Sequence, residues 1–216
     1  MSNFSTWDVI RNLLEALPWT LFLSAIAFVG GIVFGLLLLA MRIARPKTLG
    51  RLIAWYVQLF QGTPLLMQLF LTYFGLTLFG IETSPLMAAT ICLTCYASAF
   101  LSETWRGCVE SIPKGQWEAS ASLALNFYEQ FRYVILPQTL RLSIPPTVGL
   151  LVQIVKDTSL ASVIGFVELT RAGQIITNAT FEPFFVYGVV ALLYFAICFP
   201  CSLGGRWLEK KIKIQY

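Results

Sequence analysis

The amino-acid sequence predicts an all-α membrane protein with five transmembrane helices. Hydrophobic residues make up 57% of the 216 residues and charged residues only 12%, whereas soluble domains carry about 25% charged residues. The charges are also unevenly placed and leave long apolar windows between them. A bilayer core about 30 Å thick needs roughly 20 consecutive apolar residues in a helix. Five windows are long enough to meet this requirement.

All of the windows except the fourth in chain order are free of charged residues over a length that can span the membrane. The fourth window in chain order is interrupted by Lys156 and Asp157, which are interpreted as charges at membrane depth. Pro145 and Pro146 are expected to disturb the start of this fourth helix. The predicted spans, all in one transmembrane domain that covers 1–216, are 16–41, 52–81, 83–105, 142–167 and 183–205.

The positions of lysine and arginine predict the orientation. With five spans the two termini lie on opposite sides of the membrane, and basic residues concentrate in cytoplasmic segments. Twelve of the fifteen share one side, after span one, between spans three and four, and after span five. Only Arg11, Lys156 and Arg171 lie elsewhere. This distribution predicts a multi-pass protein with its N-terminus outside and its C-terminus in the cytoplasm.

The cysteines and the net charge argue against two other classes of function. Cys92 and Cys95 form one CxxC pair, and Cys198 and Cys201 form another, but both pairs lie in apolar stretches and the chain has no histidine. Apolar packing explains these thiols better than a metal site does. The net charge of +4 forms no basic stripe, so nucleic-acid binding is not expected.

The segment 108–140 is too polar to span the membrane, yet it has helical periodicity. Apolar side chains recur in it every three or four residues. Asn126, with Glu129 three residues later, matches a capping box. The pattern predicts two short helices that meet near Leu125 and Asn126. Glu118 is expected near the start of the first helix, and Pro137 is expected to end the second. An amphipathic hairpin lying on lipid headgroups would show the same periodicity.

Several motifs in this order give the chain its resemblance to a known family. The segment 117–137 resembles the EAA loop of binding-protein-dependent ABC importers, in which coupling helices dock in a groove of an ATPase subunit. Five further stretches resemble the polar amino acid permeases of that class. They are 61–66 (QGTPLL), 98–107 (SAFLSETWRG), 111–116 (SIPKGQ), 131–138 (FRYVILPQ) and 156–160 (KDTSL).

The resemblance implies a type I ABC importer transmembrane domain with the MetI-like fold, in the plasma (inner) membrane. It implies that 108–140 is a cytoplasmic coupling loop in contact with an ATPase. The chain itself has no P-loop and no catalytic constellation, so ATP is expected to be bound and hydrolysed by the partner, and no cofactor is expected here. The implied coupling residues are Glu118, Ala119, Ala124, Leu125, Asn126, Leu136 and Pro137.

The implied assembly has several members. Two ATPase subunits, a second permease subunit that is identical or related, and an extracytoplasmic solute-binding protein would work with this chain in the lipid membrane. The implied function is import of a polar amino acid or a similar small solute by alternating access. An ion-gradient-driven secondary transporter and a membrane scaffold without transport activity are the alternatives.

The chain departs from the family pattern at four positions. Gln61 lies where arginine is usual, Ser120 replaces the second alanine of the EAA triplet, and Gly149 lies where asparagine is expected. Ala124 occupies the usual glycine position. If its backbone is left-handed, alanine costs on the order of 1 kcal/mol more than glycine. Either the turn is formed differently, or Leu125 and Asn126 absorb the difference.

Charges at membrane depth are the candidate solute-path residues. Glu103 and Arg106 share one helix face, either as an internal ion pair or with Glu103 facing a solute ammonium group. Lys156 and Asp157, followed by Thr158 and Ser159, fit a broken helix near the midplane, where polar solutes can bind. A structural Lys156–Asp157 pair is equally open.

Polar residues also surround a Gly-Pro break in the second span. Gln61 and Thr63 lie beside Gly62 and Pro64. They are assigned to a kink that lines the solute path, although packing between helices explains them nearly as well.

Overall fold

The computed structural model describes residues 5–44 and 47–212, and all regular structure in these ranges is helical. A π-helix, Gln130–Ile135, joins α6 to α7, and a 3₁₀ helix, Thr158–Ile164, follows α7. The α-helices are α1 Thr6–Ala44, α2 Leu49–Gly62, α3 Leu65–Leu78, α4 Pro85–Glu110, α5 Lys114–Ser122, α6 Phe127–Glu129, α7 Leu136–Asp157, α8 Leu169–Thr180 and α9 Pro183–Ile212.

Four helical stretches among the described residues are long and apolar enough to cross a membrane. They are Thr6–Ile43, Pro85–Glu110, Phe127–Ile164 and Pro183–Lys211. The first and last bury little of their surface inside the chain, while α4 buries more than half of its apolar window. Two outer helices thus present apolar side chains that only lipid or another subunit can cover, and α4 lies at the centre.

The second predicted span, 52–81, consists of two helices instead of one. The backbone is extended at Thr63 (ψ 145°) and Pro64 (ψ 133°), so α2 ends at Gly62 and α3 begins at Leu65. Proline has no N–H for the helix ladder and disfavours helical geometry in the residue before it. A complete break therefore replaces the expected kink, and α2 and α3 together take the place of the second predicted span.

The fourth predicted span also begins earlier than 142–167. Helical structure continues from Phe127 through the π-helix into α7, so Pro137 does not end a helix as predicted. Pro137 lies at the junction of the π-helix and α7, inside the continuous helical stretch, and Pro145 and Pro146 lie further along α7. Regular α-structure ends at Asp157, which leaves the rest of the predicted span in the 3₁₀ helix and the following loop.

The largest apolar core surrounds α4. Leu93, Ala97 and Cys92 of α4 are buried against α1, α3 and the segment around Ile154 and Ile164. On α1, Gly31 and Gly35 form a GxxxG pattern that faces α4. A Cβ atom added to Gly31 would lie 2.5 Å from the Ala97 Cβ, so α1 and α4 approach closely only because this face lacks side chains.

Candidate functional site

The two short helices between α4 and α7, which are α5 and α6, meet in a compact turn at Ala124. The backbone there is left-handed, with φ of 59°, and the Ala124 N–H donates to the Ala121 carbonyl over 2.9 Å. Alanine therefore occupies the left-handed position where the family pattern has glycine, and the alternative of a differently formed turn is wrong. Trp117 and Phe127 stack across the turn, with ring centroids 6.1 Å apart, and this contact holds α5 against the start of α6.

The predicted capping box is present at the start of α6. The Asn126 side chain accepts from the Glu129 N–H over 3.0 Å, and the Asn126 N–H donates to the Glu129 carboxylate over 2.8 Å. Gln130 donates to the Leu125 carbonyl over 2.7 Å. Leu125 is partly buried beneath the turn, so the residues around it are held by side-chain hydrogen bonds as well as by the helices.

The outer surface of this segment, which we call the coupling segment (residues 114–129), is apolar at its tip. Leu123 is 75% exposed, and Phe127 and Tyr128 are also largely exposed. Glu118 and Ala119 are exposed in the middle of α5. The prediction that Glu118 begins this helix is wrong, because Pro113 precedes the first turn and α5 starts at Lys114. Exposed apolar side chains on a polar segment indicate a surface that binds another protein or the membrane.

Two predicted coupling residues lie outside that surface. Leu136 is partly buried and Pro137 is exposed, both in the first turn of α7. Ile135, immediately before them, is fully buried. These residues therefore join the coupling segment to the membrane helix.

Glu103 lies in a cluster of charges at the end of α4. Arg106 donates to one carboxylate oxygen over 2.5 Å, and Arg42 of α1 donates to the other over 2.8 Å. Arg106 also pairs with Glu110. The Glu103–Arg106 pair is thus present, and Arg42 extends it to a neighbouring helix. The sequence analysis missed Arg42 because it lies 61 positions away in the chain.

Asp157 lies where α7 changes into the 3₁₀ helix, so a helix break is present at the predicted position. One carboxylate oxygen accepts from Gln153 over 2.9 Å. The other, Oδ2, is buried and has no hydrogen-bond partner among the described residues. A buried acceptor without a partner is costly, and a bound cationic group would satisfy it.

The neighbours of Asp157 differ in exposure. Lys156 is exposed and, within the described residues, forms no ion pair with Asp157. Thr158 is fully buried, and its hydroxyl donates to the Val155 carbonyl over 2.8 Å. Ser159 is partly buried. The structural Lys–Asp pair considered above is therefore not formed in this conformation.

The break between α2 and α3 is closed by Gln68, another polar residue of the second predicted span. Its Nε2 lies 2.9 Å from the Phe60 carbonyl and 2.8 Å from the Thr63 hydroxyl. Thr63 in turn donates to the Leu59 carbonyl, and its exposed side chain lies beside the exposed Gln61. Gln68 thus satisfies backbone and hydroxyl groups that the break leaves free.

Glu103 and Asp157 lie at different depths along the helices. Trp105, two residues after Glu103, donates to Thr147 of α7 over 2.9 Å. Asp157 is ten residues further along α7, about 15 Å along a helix axis. The structure therefore places Glu103 and Asp157 on adjacent helices without bringing them together.

Glu168 is a buried acidic residue that the sequence analysis missed. It is fully buried just before α8 and accepts hydrogen bonds from the Thr170 and Arg171 backbone N–H groups. The side chain of Tyr194 in α9 also donates to it, over 2.8 Å. The available signal was a glutamate directly before the segment that forms α8, since acidic residues stabilise helix N-termini.

Two solved structures share this architecture. A crystal structure described as an amino acid ABC transporter with histidines matches with a TM-score of 0.89 and 31% identity, over 93% of this chain and 94% of that chain. The inward-facing MetNI methionine ABC transporter matches in fold, with a TM-score of 0.73 and 24% identity, over 99% and 100% of the two chains. The fold is that of a type I ABC importer transmembrane domain, with five spans and a helix pair between the third and fourth.

Sequence comparison gives the family. Residues 28–214 match the binding-protein-dependent transport system inner membrane component family. A probable glutamine ABC transporter permease protein, GlnM, of Bacillus subtilis (strain 168) is 35% identical over 97% of both chains. The chain belongs to this family: it is a multi-pass permease subunit of an ABC importer, and ATP is hydrolysed by a separate ATPase subunit. The relatives give no support to the alternative of an ion-gradient-driven transporter.

Proposed function

We propose that this chain moves a polar amino acid or a closely related solute into the cell by alternating access. Two relatives support the solute class: GlnM is named for glutamine, and the solved transporter with 31% identity is described as an amino acid transporter. The proposed assembly contains this chain, a second permease subunit of the same or a related kind, two ATPase subunits and an extracytoplasmic solute-binding protein.

The observation that carries the proposed mechanism is the continuity of one helical rod. Helical structure runs without interruption from Phe127, at the exposed tip, to Asp157 at the break. These 31 residues would extend on the order of 45 Å if all of them were α-helical. A displacement of the coupling segment is therefore transmitted along α7 to the depth of Asp157.

In the proposed cycle, ATP closes the ATPase pair and draws two coupling segments together. Exposed Leu123, Phe127 and Tyr128 provide the apolar contact, and Glu118 a polar one. The rods then tilt, and the path changes from open inward to open outward, so that solute can enter from the binding protein. Hydrolysis of ATP resets the cycle. This scheme requires the coupling segment on the cytoplasmic side and the N-terminus outside, as the basic residues predict.

Within the path, Asp157 is our candidate for the solute amino group. Its free oxygen is buried, whereas both oxygens of Glu103 are occupied by arginines in this conformation. Lys156 is exposed nearby and is proposed to meet the solute carboxylate. Thr158 and Ser159 provide hydroxyls at the break, and Gln61 and Thr63 provide polar groups at the other broken span.

Transport in proteoliposomes tests this function. The chain is reconstituted with its partner ATPase, and radiolabelled glutamine, histidine, arginine and cystine are offered with the binding protein. We expect ATP-dependent uptake of at least one amino acid and hydrolysis that the loaded binding protein stimulates. Uptake that follows an ion gradient without ATP would contradict the proposal.

The same assay tests the solute site. We expect Asp157→Asn to lower uptake about tenfold, the effect of losing a hydrogen bond to a charged group, with the complex still assembled. Glu103→Gln is expected to lower uptake by weakening the arginine cluster. The matched control is Glu182→Gln, the same chemical change at an exposed residue. Full uptake in both Asp157→Asn and Glu103→Gln would remove the site hypothesis.

A further inference from the structure

The break between α2 and α3 removes a hydrogen bond that a continuous helix would form. In an α-helix each carbonyl accepts from the N–H four residues later, so the partner of the Phe60 carbonyl would be the N–H of residue 64. That residue is Pro64, which has no N–H to donate. Inside a membrane a backbone carbonyl needs a partner from the protein itself. The Phe60 carbonyl therefore depends on a donor from elsewhere in the chain.

Gln68, in the first turn of α3, supplies this donor. Its Nε2 donates to the Phe60 carbonyl over 2.9 Å, to the Thr63 carbonyl over 3.0 Å and to the Thr63 hydroxyl over 2.8 Å. The amide has two N–H bonds for these three acceptors, so one of them is shared. The Thr63 hydroxyl donates in turn to the Leu59 carbonyl over 2.7 Å. One side chain of α3 is thus bonded to the last turn of α2 and to the residue that ends it.

The orientation of the Gln68 amide indicates that its role is to donate. The residue is only 9% exposed, and its Oε1 is buried with no hydrogen-bond partner among the described residues. Turning the amide over would place Oε1 within about 3 Å of two carbonyl oxygens, which would repel it. The acceptors at the break therefore fix the amide, although a buried acceptor without a partner is costly.

We propose that Gln68 is a positioning residue that replaces the hydrogen bond missing at Pro64 and so holds α2 and α3 in a fixed relation across the break. The Met67 and Gln68 N–H groups donate to the Pro64 carbonyl over 3.0 Å and 3.2 Å, so their exchange with solvent reports on the geometry of the break. The importance of this restraint for transport rests on the proposed solute path beside Gln61 and Thr63, but the restraint itself does not.

Hydrogen exchange measured by mass spectrometry tests the restraint in the complex of this chain with its ATPase subunits, held in lipid nanodiscs. Gln68→Met keeps a long unbranched side chain but removes the amide. We expect peptides covering 58–68 to exchange about tenfold faster, as for the loss of one or two ordinary hydrogen bonds, while peptides of α4 keep their wild-type rates. Gln58→Met makes the same change at an exposed residue of α2 and is expected to leave this exchange unchanged.

A second substitution separates hydrogen bonding from packing. Pro64→Ala restores an N–H at residue 64, which can then donate to the Phe60 carbonyl. In this background we expect Gln68→Met to accelerate exchange at 58–68 by no more than about threefold, because the Phe60 carbonyl has another donor. If Gln68 only filled space, the two substitutions would act independently, and the acceleration would be the same with Pro64 or alanine.

The proposal is overturned if Gln68→Met leaves exchange at 58–68 unchanged, if it accelerates exchange throughout the chain, or if Pro64→Ala does not reduce its effect. If Gln68→Met does not assemble by itself, its assembly in the Pro64→Ala background supports the proposal, and failure there as well overturns it. Because exchange is read without transport, a chain that imports no amino acid would leave this result interpretable, and the reverse also holds.

Discussion

At the scale of single residues, Ala124 is the clearest departure from favourable local chemistry. A non-glycine residue with positive φ is uncommon, and the left-handed region costs an L-residue roughly 1–2 kcal/mol. Ala124 has φ of 59° in the turn between α5 and α6. The Trp117–Phe127 stack and the Asn126 capping box hold the turn despite this cost.

Ala124→Gly is therefore expected to stabilise the turn by up to about 1 kcal/mol. Exchange of the amides around 120–126 should slow by about fivefold, measured by hydrogen exchange on the assembled complex. Ala121→Gly is the matched control, because Ala121 lies in helical α5, where glycine is unfavourable by about 1 kcal/mol. Equal effects of the two substitutions would show that backbone conformation is not the cause.

The sequence predicted a contact within one helix but missed the contacts between helices. Glu103 and Arg106 are three positions apart, so helical periodicity alone predicts their pairing. Arg42 and Glu103 are 61 positions apart, and Thr20 and Glu168 are 148 apart. Contacts at such separations depend on how helices pack, which no local pattern records.

At the scale of elements, the packing of α1 on α4 depends on small residues. Gly31 and Gly35 face α4, and their missing side chains allow the two backbones to approach. Within lipid the hydrophobic effect does little to drive helices together, so van der Waals contact between closely packed helices stabilises their association. The GxxxG spacing was visible in the sequence, but its meaning depended on knowing which helix faces it.

We expect Gly31→Leu to separate α1 from α4, because its Cβ would already lie 2.5 Å from the Ala97 Cβ. Overpacking of this kind costs typically 1–3 kcal/mol, and the yield of folded chain in mild detergent should fall, as measured by size-exclusion chromatography. Gly188→Leu in α9 is the control, since nothing lies within 4 Å of its added Cβ. A wild-type yield for Gly31→Leu would contradict the packing account.

The prolines show why element boundaries were harder to predict than element types. Pro64 and Pro137 are both helix-breaking residues in sequence, yet only Pro64 lies at a break. Pro137 directly follows a π-helix inside a continuous helical stretch, and the helix persists although this residue has no N–H to donate. The outcome depends on the position of each proline within the turn, and a π-helix is not visible in the apolar pattern.

At the scale of the whole molecule, the apolar windows were enough to predict five spans and an all-helical domain. The separation of the second span into α2 and α3 was not predicted, because the Gly-Pro sequence is compatible with a kink as well as a break. The helix pair was predicted from its periodicity and capping box. Its continuity with α7, on which the proposed mechanism depends, appears only in the structure.

The central claim is that the coupling segment binds a separate ATPase subunit. The direct test places a photo-crosslinking amino acid at Glu118 in the assembled complex and, as a control, at Phe184, which is 96% exposed near the start of α9. We expect the probe at residue 118 to form a covalent adduct with the ATPase subunit, and the probe at 184 to form none. Adducts with lipid alone at residue 118 would contradict the account.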